Sequence, residues 1–280
     1  MPHLRRRTIN TTSRFAVAVA AVAGATGLLA SAPAATATQS PEAKPTIVLV
    51  HGAWADGSSW AGVTERLQHQ GYTVDVPPNT LRGLATDSAN LHAFLQTVKG
   101  PIVLVGHSYG GEVITNAAVG IDNVESLVYV DAFIPDNGET AGQLSAAKPG
   151  SALAVEDPST VFNTVTIPNG GGNVDLYVKP GLFPQIFAGG VDHDKAAVLA
   201  AGQRPLAGSA LSDPSGEPAW KTLSSWALIG TADKVIPPAE QQVMADRAGS
   251  HIVRVNAPHL SMVARPGAVT DLITAAARHS

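Results

Sequence analysis

A strand that runs straight into a helix through Gly106-His107-Ser108-Tyr109-Gly110 constrains this chain more than any other feature. The apolar run Pro101-Ile102-Val103-Leu104-Val105 precedes it, and a helical stretch, Gly111 to Val119, follows. A Gly-x-Ser-x-Gly turn in that setting strains the backbone of its serine, and side chains two residues either side would collide across the turn. The hydroxyl is thereby lifted clear of the sheet at a helix N-terminus, where orphan N–H groups and the positive dipole end favour developing negative charge. An ordinary serine in a Gly-rich turn shows the same five residues. The flanking strand and helix are what set Ser108 apart as a candidate nucleophile.

Around this turn, short β-branched runs alternate with helical stretches, the pattern of an α/β fold with a parallel sheet covered on both faces. Six strands are expected, at Thr46–Val50, Thr73–Val76, Pro101–Val105, Ser126–Val130, Trp226–Ile229 and His251–Val255. Each is short and almost wholly apolar, as burial on both faces requires. Helices are expected at Ser59–Gln70, Asp87–Val98, Gly111–Val119, Ala239–Ala248 and Pro266–Ala277, with Gly71 ending the first and Pro266 opening the last. Residues 136 to about 222 break the alternation. They are rich in Gly and Pro, carry aromatics at Phe162, Tyr177, Phe183 and Phe187, and hold one helical run, Asp194 to Ala201. A structureless loop of that length is improbable in a compact domain, so this stretch is read as an inserted cap over the carboxyl ends of the strands.

The first 37 residues read as an export signal: Arg5, Arg6, Arg7 and Arg14, then apolar Phe15 to Ala30, then a small-x-small site at Ala35-Thr36-Ala37. Gly24, Thr26 and Gly27 interrupt the apolar run, which falls short of the ~20 residues a spanning helix needs. Residues 38–45 are a flexible lead-in, and 46–280 form the folded domain with its cap. Cleavage takes four of the 18 Lys+Arg and no acid, leaving 14 against 22 Asp+Glu and a formal charge of −8. An acidic, secreted chain without basic clusters argues against nucleic acid and against stable membrane insertion. It has no cysteine, so thiol catalysis and thiolate metal sites are excluded.

Serine is a weak nucleophile and needs a base that is itself held by an acid; on this architecture the chain order is serine, acid, histidine. His259 follows the last strand, C-terminal to everything but the final helix, and is the candidate base. Two acids lie past strand ends: Asp233 in Gly230-Thr231-Ala232-Asp233-Lys234-Val235-Ile236, and Asp131 in Tyr129-Val130-Asp131-Ala132-Phe133. Asp233 is preferred because Val235 and Ile236 can bury and orient its carboxylate, and Asp131 is kept as the alternative acid. The backbone N–H of Tyr109, after the nucleophile, and that of Ala53, in the loop His51-Gly52-Ala53-Trp54, are the expected oxyanion donors. His51 and His107 sit on rigid strand ends beside glycines and read as packing or pocket-lining. His193, between Asp192 and Asp194, reads as solvated surface rather than a metal ligand.

With these blocks in place the chain resembles the α/β-hydrolase superfamily, and within it the small-esterase branch that includes plant methyl-ester hydrolases and hydroxynitrile lyases. Ile47 to Trp54, Val105 to Gly111, Asp131 to Asp136, Asp233 to Pro237 and Pro258 to Met262 carry the likeness. It implies Ser108 as nucleophile, His259 as base, Asp233 as acid, Ala53 and Tyr109 as oxyanion donors, and a sheet lacking the superfamily's usual two N-terminal strands. Two departures bear on the reaction. The lyases carry a lysine directly after the catalytic histidine and a threonine after the first strand's histidine, where this chain has Leu260 and Gly52. A leucine cannot stabilise leaving cyanide, so the expectation is a cofactor-free, metal-free carboxylesterase acting on small to medium esters. An amidase, lactonase or perhydrolase/haloperoxidase on the same triad, or a homologue that binds without turnover, are the alternatives.

Overall fold

The computed structural model describes residues 44–279. The expected export signal lies outside them.

The chain runs β1 (Thr46–Val50), α1 (Ala61–His69), β2 (Val74–Asp75), α2 (Leu84–Leu95), β3 (Ile102–His107), α3 (Tyr109–Ala117) and β4 (Val124–Val130). A cap then intervenes: α4 (Ala141–Ala146), β5 (Phe162–Thr166), β6 (Val174–Val178), α5 (Phe183–Phe187), α6 (His193–Ala201) and β7 (Leu206–Ala207). The domain closes with β8 (Ser224–Gly230), α7 (Pro238–Arg247), β9 (His251–Val255), α8 (Ser261–Ala264) and α9 (Pro266–Arg278). The main sheet has six parallel strands in the order β2-β1-β3-β4-β8-β9.

Its centre is apolar on both faces because both faces are covered: Ile47, Val48, Leu49, all of Ile102 to Val105, Leu127 and Val128 are fully buried. The chain crosses the sheet one way from β1 to β2 and the other way from β2 to β3, so right-handed crossovers put α1 and α2 on opposite faces. Accordingly α1 packs on α9 and α2 on α3. The reversal leaves a crevice between the carboxyl ends of β1 and β3, where open parallel sheets take their ligands.

The structure corrects the expected boundaries in physically instructive ways. The second strand shrinks to two residues at the sheet's edge, with one flank unpaired. The opposite edge strand, β9, was expected to be apolar but is half exposed, with His251, Val253 and Arg254 toward solvent. The helix after Ser108 begins at Tyr109 rather than Gly111, which brings its dipole directly onto the serine. The cap carries a three-stranded antiparallel sheet, β5-β6-β7, that the alternation rule does not reveal. Beta5 is one buried residue, Phe162, followed by four exposed ones, so it shows no clean period of two.

One buried group is at odds with the rest. Glu112, in the first turn of α3, is fully buried, and neither carboxylate oxygen has a hydrogen-bond partner among the described residues. Burial, reinforced by nearby Asp213, pushes its pKa well above the usual carboxylate range. The folded state therefore holds a proton that the unfolded state releases above about pH 4.3, and stability contributed by this site is lost as pH rises. Replacing Glu112 by methionine is expected to stabilise the fold by about 1–3 kcal/mol at pH 8, with a smaller gain at pH 5. Urea midpoints of the two proteins at both pH values measure this. An equal or larger gain at pH 5 would remove Glu112 as the cause.

Candidate active site

Five loops leave the carboxyl ends of five neighbouring strands, and each carries a residue singled out from the sequence: Ala53 after β1, Ser108 after β3, Asp131 after β4, Asp233 after β8 and His259 after β9. Three of these loops contain a non-glycine residue in the left-handed region: Trp54 at φ 55°, Ser108 at φ 54° and Asp131 at φ 45°. Strain of this kind persists only where the surroundings over-determine it.

At Ser108 the surroundings are backbone. Its N–H donates to the Val130 carbonyl, and its own carbonyl accepts from Gly111 and Phe133. A Cβ on Gly106 would fall 2.5 Å from the Gly110 carbonyl oxygen, and one on Gly110 would fall 2.7 Å from that of Val50. Both glycines of the motif are thus required by close approach. Tyr109 opens α3, so its N–H is one of the four that a helix cannot bond internally. Its side chain is anchored elsewhere, donating to Asp87 Oδ2 at 2.8 Å, a carboxylate that also receives Thr80 Oγ1 and the N–H of Arg82. Ala53, Ser108 and Tyr109 line one cavity.

His259 is fully buried, and its Nδ1 lies 2.8 Å from Asp233 Oδ2. With Nδ1–H donating to the carboxylate, Nε2 holds the lone pair, and no partner in the described residues takes it up. Asp233 is held in turn: Oδ1 accepts from the N–H of Val235 and Ile236, and Oδ2 accepts from Gln241 Nε2 at 2.7 Å. Burial draws the His259 pKa down, which keeps the imidazole neutral with the Nε2 lone pair free. The same burial pushes Asp233 upward, against the Val235, Ile236 and Gln241 donors that favour its ionised form.

Asp131 does not reach His259. Its Oδ1 accepts from the Gly230 N–H at 2.6 Å and its Oδ2 from the Ser261 N–H at 3.3 Å, so it joins the ends of β4 and β8 to the turn after the histidine. Burial and the neighbouring Asp233 raise its pKa well above the usual range. Two other buried histidines, His51 and His107, are kept neutral by burial. His51 donates from Nδ1 to the Gly52 carbonyl and accepts the Asn79 N–H at Nε2. His107 donates from Nε2 to the His259 carbonyl at 3.0 Å, and burial holds its pKa well below the ordinary value. His193 is exposed beside Asp194.

Three further participants are not among the site residues singled out from the sequence. Gln241 reaches Asp233 from the second turn of α7, eight residues on. Trp54 and Phe187 meet each other and the site from the first loop and the cap, 133 residues apart in the chain. Only Trp54 lay inside a recognised block.

The family model for the alpha/beta hydrolase family matches residues 47–272. A carbendazim hydrolyzing esterase of Nocardioides sp. (strain SG-4G) is 38% identical over 106 residues, a stretch that covers 33% of this chain and 44% of that protein. The solved structure of polyneuridine aldehyde esterase superposes with a TM-score of 0.71 at 17% identity, covering 83% of this chain and 99% of its own. A pyrethroid hydrolase from Sphingobium faniae JZ-2 does so with a TM-score of 0.68 at 20% identity, covering 84% and 97%. At these identities the two structures speak for the fold alone.

Proposed function

The chain belongs to the alpha/beta hydrolase family, and on that premise we propose that it is a serine esterase working through an acyl-enzyme on Ser108. The observation that carries the proposal is the Asp233–His259 hydrogen bond, which leaves Nε2 as a base with no partner among the described residues, at the edge of the sheet that also presents Ser108. In this reading His259 Nε2 takes the Ser108 proton as the hydroxyl attacks an ester carbonyl, and Asp233 steadies the imidazolium. The N–H groups of Ala53 and Tyr109 receive the oxyanion, and the imidazolium then returns the proton to the leaving alcohol. Water repeats the cycle on the acyl-enzyme.

The cavity supports an uncharged, apolar acyl group. Trp54, Phe133, Leu153, Phe162, Leu211 and Val235 give it an apolar wall, and none of the described residues that line it is charged. A carboxylate on the acyl chain would have to shed its water there with no counter-charge to replace it. The names of the similar proteins, two esterases and a pyrethroid hydrolase, support this reading. If residues 1–37 act as an export signal, the reaction takes place outside the cytoplasm.

The test pairs a fluorophosphonate probe with p-nitrophenyl butanoate, p-nitrophenyl octanoate and p-nitrophenyl hemisuccinate. The proposal expects labelling of Ser108 and hydrolysis of the first two esters well above the third. A protein that neither labels nor cleaves any of them is not a serine esterase, and a preference for the hemisuccinate sinks the apolar acyl site.

A further inference from the structure

The cap contributes no member of the proposed triad, yet it grips both loops that flank the nucleophile. Phe187, the last residue of α5, is buried, and its ring meets the His259 imidazole edge-on at 5.4 Å between centroids and the Trp54 indole at 5.7 Å. Its carbonyl accepts the N–H of Leu260, next to the histidine, at 3.0 Å. The imidazole also meets the His107 ring at 4.7 Å between centroids, so Asp233, His107 and Phe187 together limit the freedom of its plane to turn.

The second grip is on the loop that holds Ala53. Trp54 Nε1 donates to the Leu176 carbonyl of β6 at 2.8 Å, and the indole stacks on Phe162 of β5 at 5.4 Å. Trp54 keeps a left-handed backbone that a bulky residue does not adopt unaided, and it is the residue directly after the proposed oxyanion donor. The indole of this loop is held by cap structure.

We propose that the cap is a positioning element of the active site: Phe187 fixes the imidazole of His259, and Trp54, held by β6, fixes the oxyanion loop. The proposal rests on the serine esterase reading. It makes the cap a contributor to the rate of the chemical step as well as a wall for substrate. Misplacing a reacting group by about 1 Å costs on the order of 100-fold in rate without a matching loss of binding.

The experiment measures kcat and KM for p-nitrophenyl butanoate in Phe187→Ala, Phe187→Leu and Trp54→Phe, with the rate of fluorophosphonate labelling and the circular dichroism spectrum of each. The expected result for Phe187→Ala is a fall in kcat and labelling rate of about 100-fold with KM within threefold. Phe187→Leu, which refills part of the volume against His259, recovers part of it. Trp54→Phe keeps a ring and loses the hydrogen bond to Leu176, and is expected to lower kcat more than it raises KM. It tests the second grip even if Phe187→Ala does not fold. A rise in KM at unchanged kcat in the folded variants overturns the proposal, since Phe187 and Trp54 would then only shape the binding site. A wild-type protein that neither turns over ester nor labels overturns the serine esterase reading itself, a different outcome from a wild type that is active and variants that lose only affinity.

Discussion

Ester hydrolysis by the Ser108→Ala variant is expected to fall about a million-fold in kcat, to the residue of catalysis that binding and oxyanion donors provide alone. The fold should survive the change. Ser108 is held by its backbone, through the Val130 carbonyl and the N–H groups of Gly111 and Phe133, and alanine keeps both the backbone and the Cβ. The left-handed conformation costs alanine no more than it costs serine. Kinetics on p-nitrophenyl butanoate, alongside thermal unfolding, test the point. Activity within 100-fold of wild type in a folded variant would take the nucleophile's role away from Ser108.

The second large effect is expected at Asp233, and its reason is the direction of one proton. Asp233 Oδ1 receives two backbone N–H groups, so an asparagine there keeps its carbonyl oxygen on that side and turns its amide toward His259. The amide N–H then donates to Nδ1, the imidazole proton moves to Nε2, and the atom that should accept the serine proton no longer can. Asp233→Asn, whose amide would also face the Gln241 Nε2 donor, is therefore expected to lose about 10⁴ in kcat in a protein that still folds. Asp131→Asn is the paired comparison. Both Asp131 oxygens accept N–H donors, so one side of the amide must face a donor it cannot bond. That costs about 1–3 kcal/mol of stability, with a far smaller effect on kcat. A reversal of the two kinetic effects would make Asp131 the acid.

The parts of this site that were legible in the sequence are those enforced over a few residues. The strand, the two glycines and the helix after Ser108 are mutually required within a dozen positions, so the elbow can be read directly. His259 could be placed because a parallel sheet sends each loop to the same edge, and chain order then leaves few candidates. Asp233 is preferred to Asp131 from the sequence only through the apolar Val235 and Ile236 that follow it, and since both acids follow strand ends the alternative stays open there. What distinguishes them is where the donors lie: Gly230 and Ser261 are spent on Asp131, and His259 faces Asp233. Gln241, Phe187 and Trp54 enter through contacts between segments far apart in the chain, for which no local pattern exists. The cap sheet was hidden for another reason. Exposed on most of β5 and closed by Asn169-Gly170-Gly171-Gly172, it looks polar and turn-rich when taken alone.

The place where the cap is spliced in has a consequence for how such a protein can diversify. The chain leaves the sheet after β4 and rejoins it in β8, the strand hydrogen-bonded next to β4, so no other strand intervenes. A replacement of different length and sequence could be grafted between those two neighbours without altering a single strand register. Among its contacts with the rest of the domain, two would bear on the catalytic groups, one against the histidine turn and one against the first loop. Inheritance can therefore treat the cap as a cassette, free to drift in what it admits while answerable at both anchors for what the machinery beneath it can do.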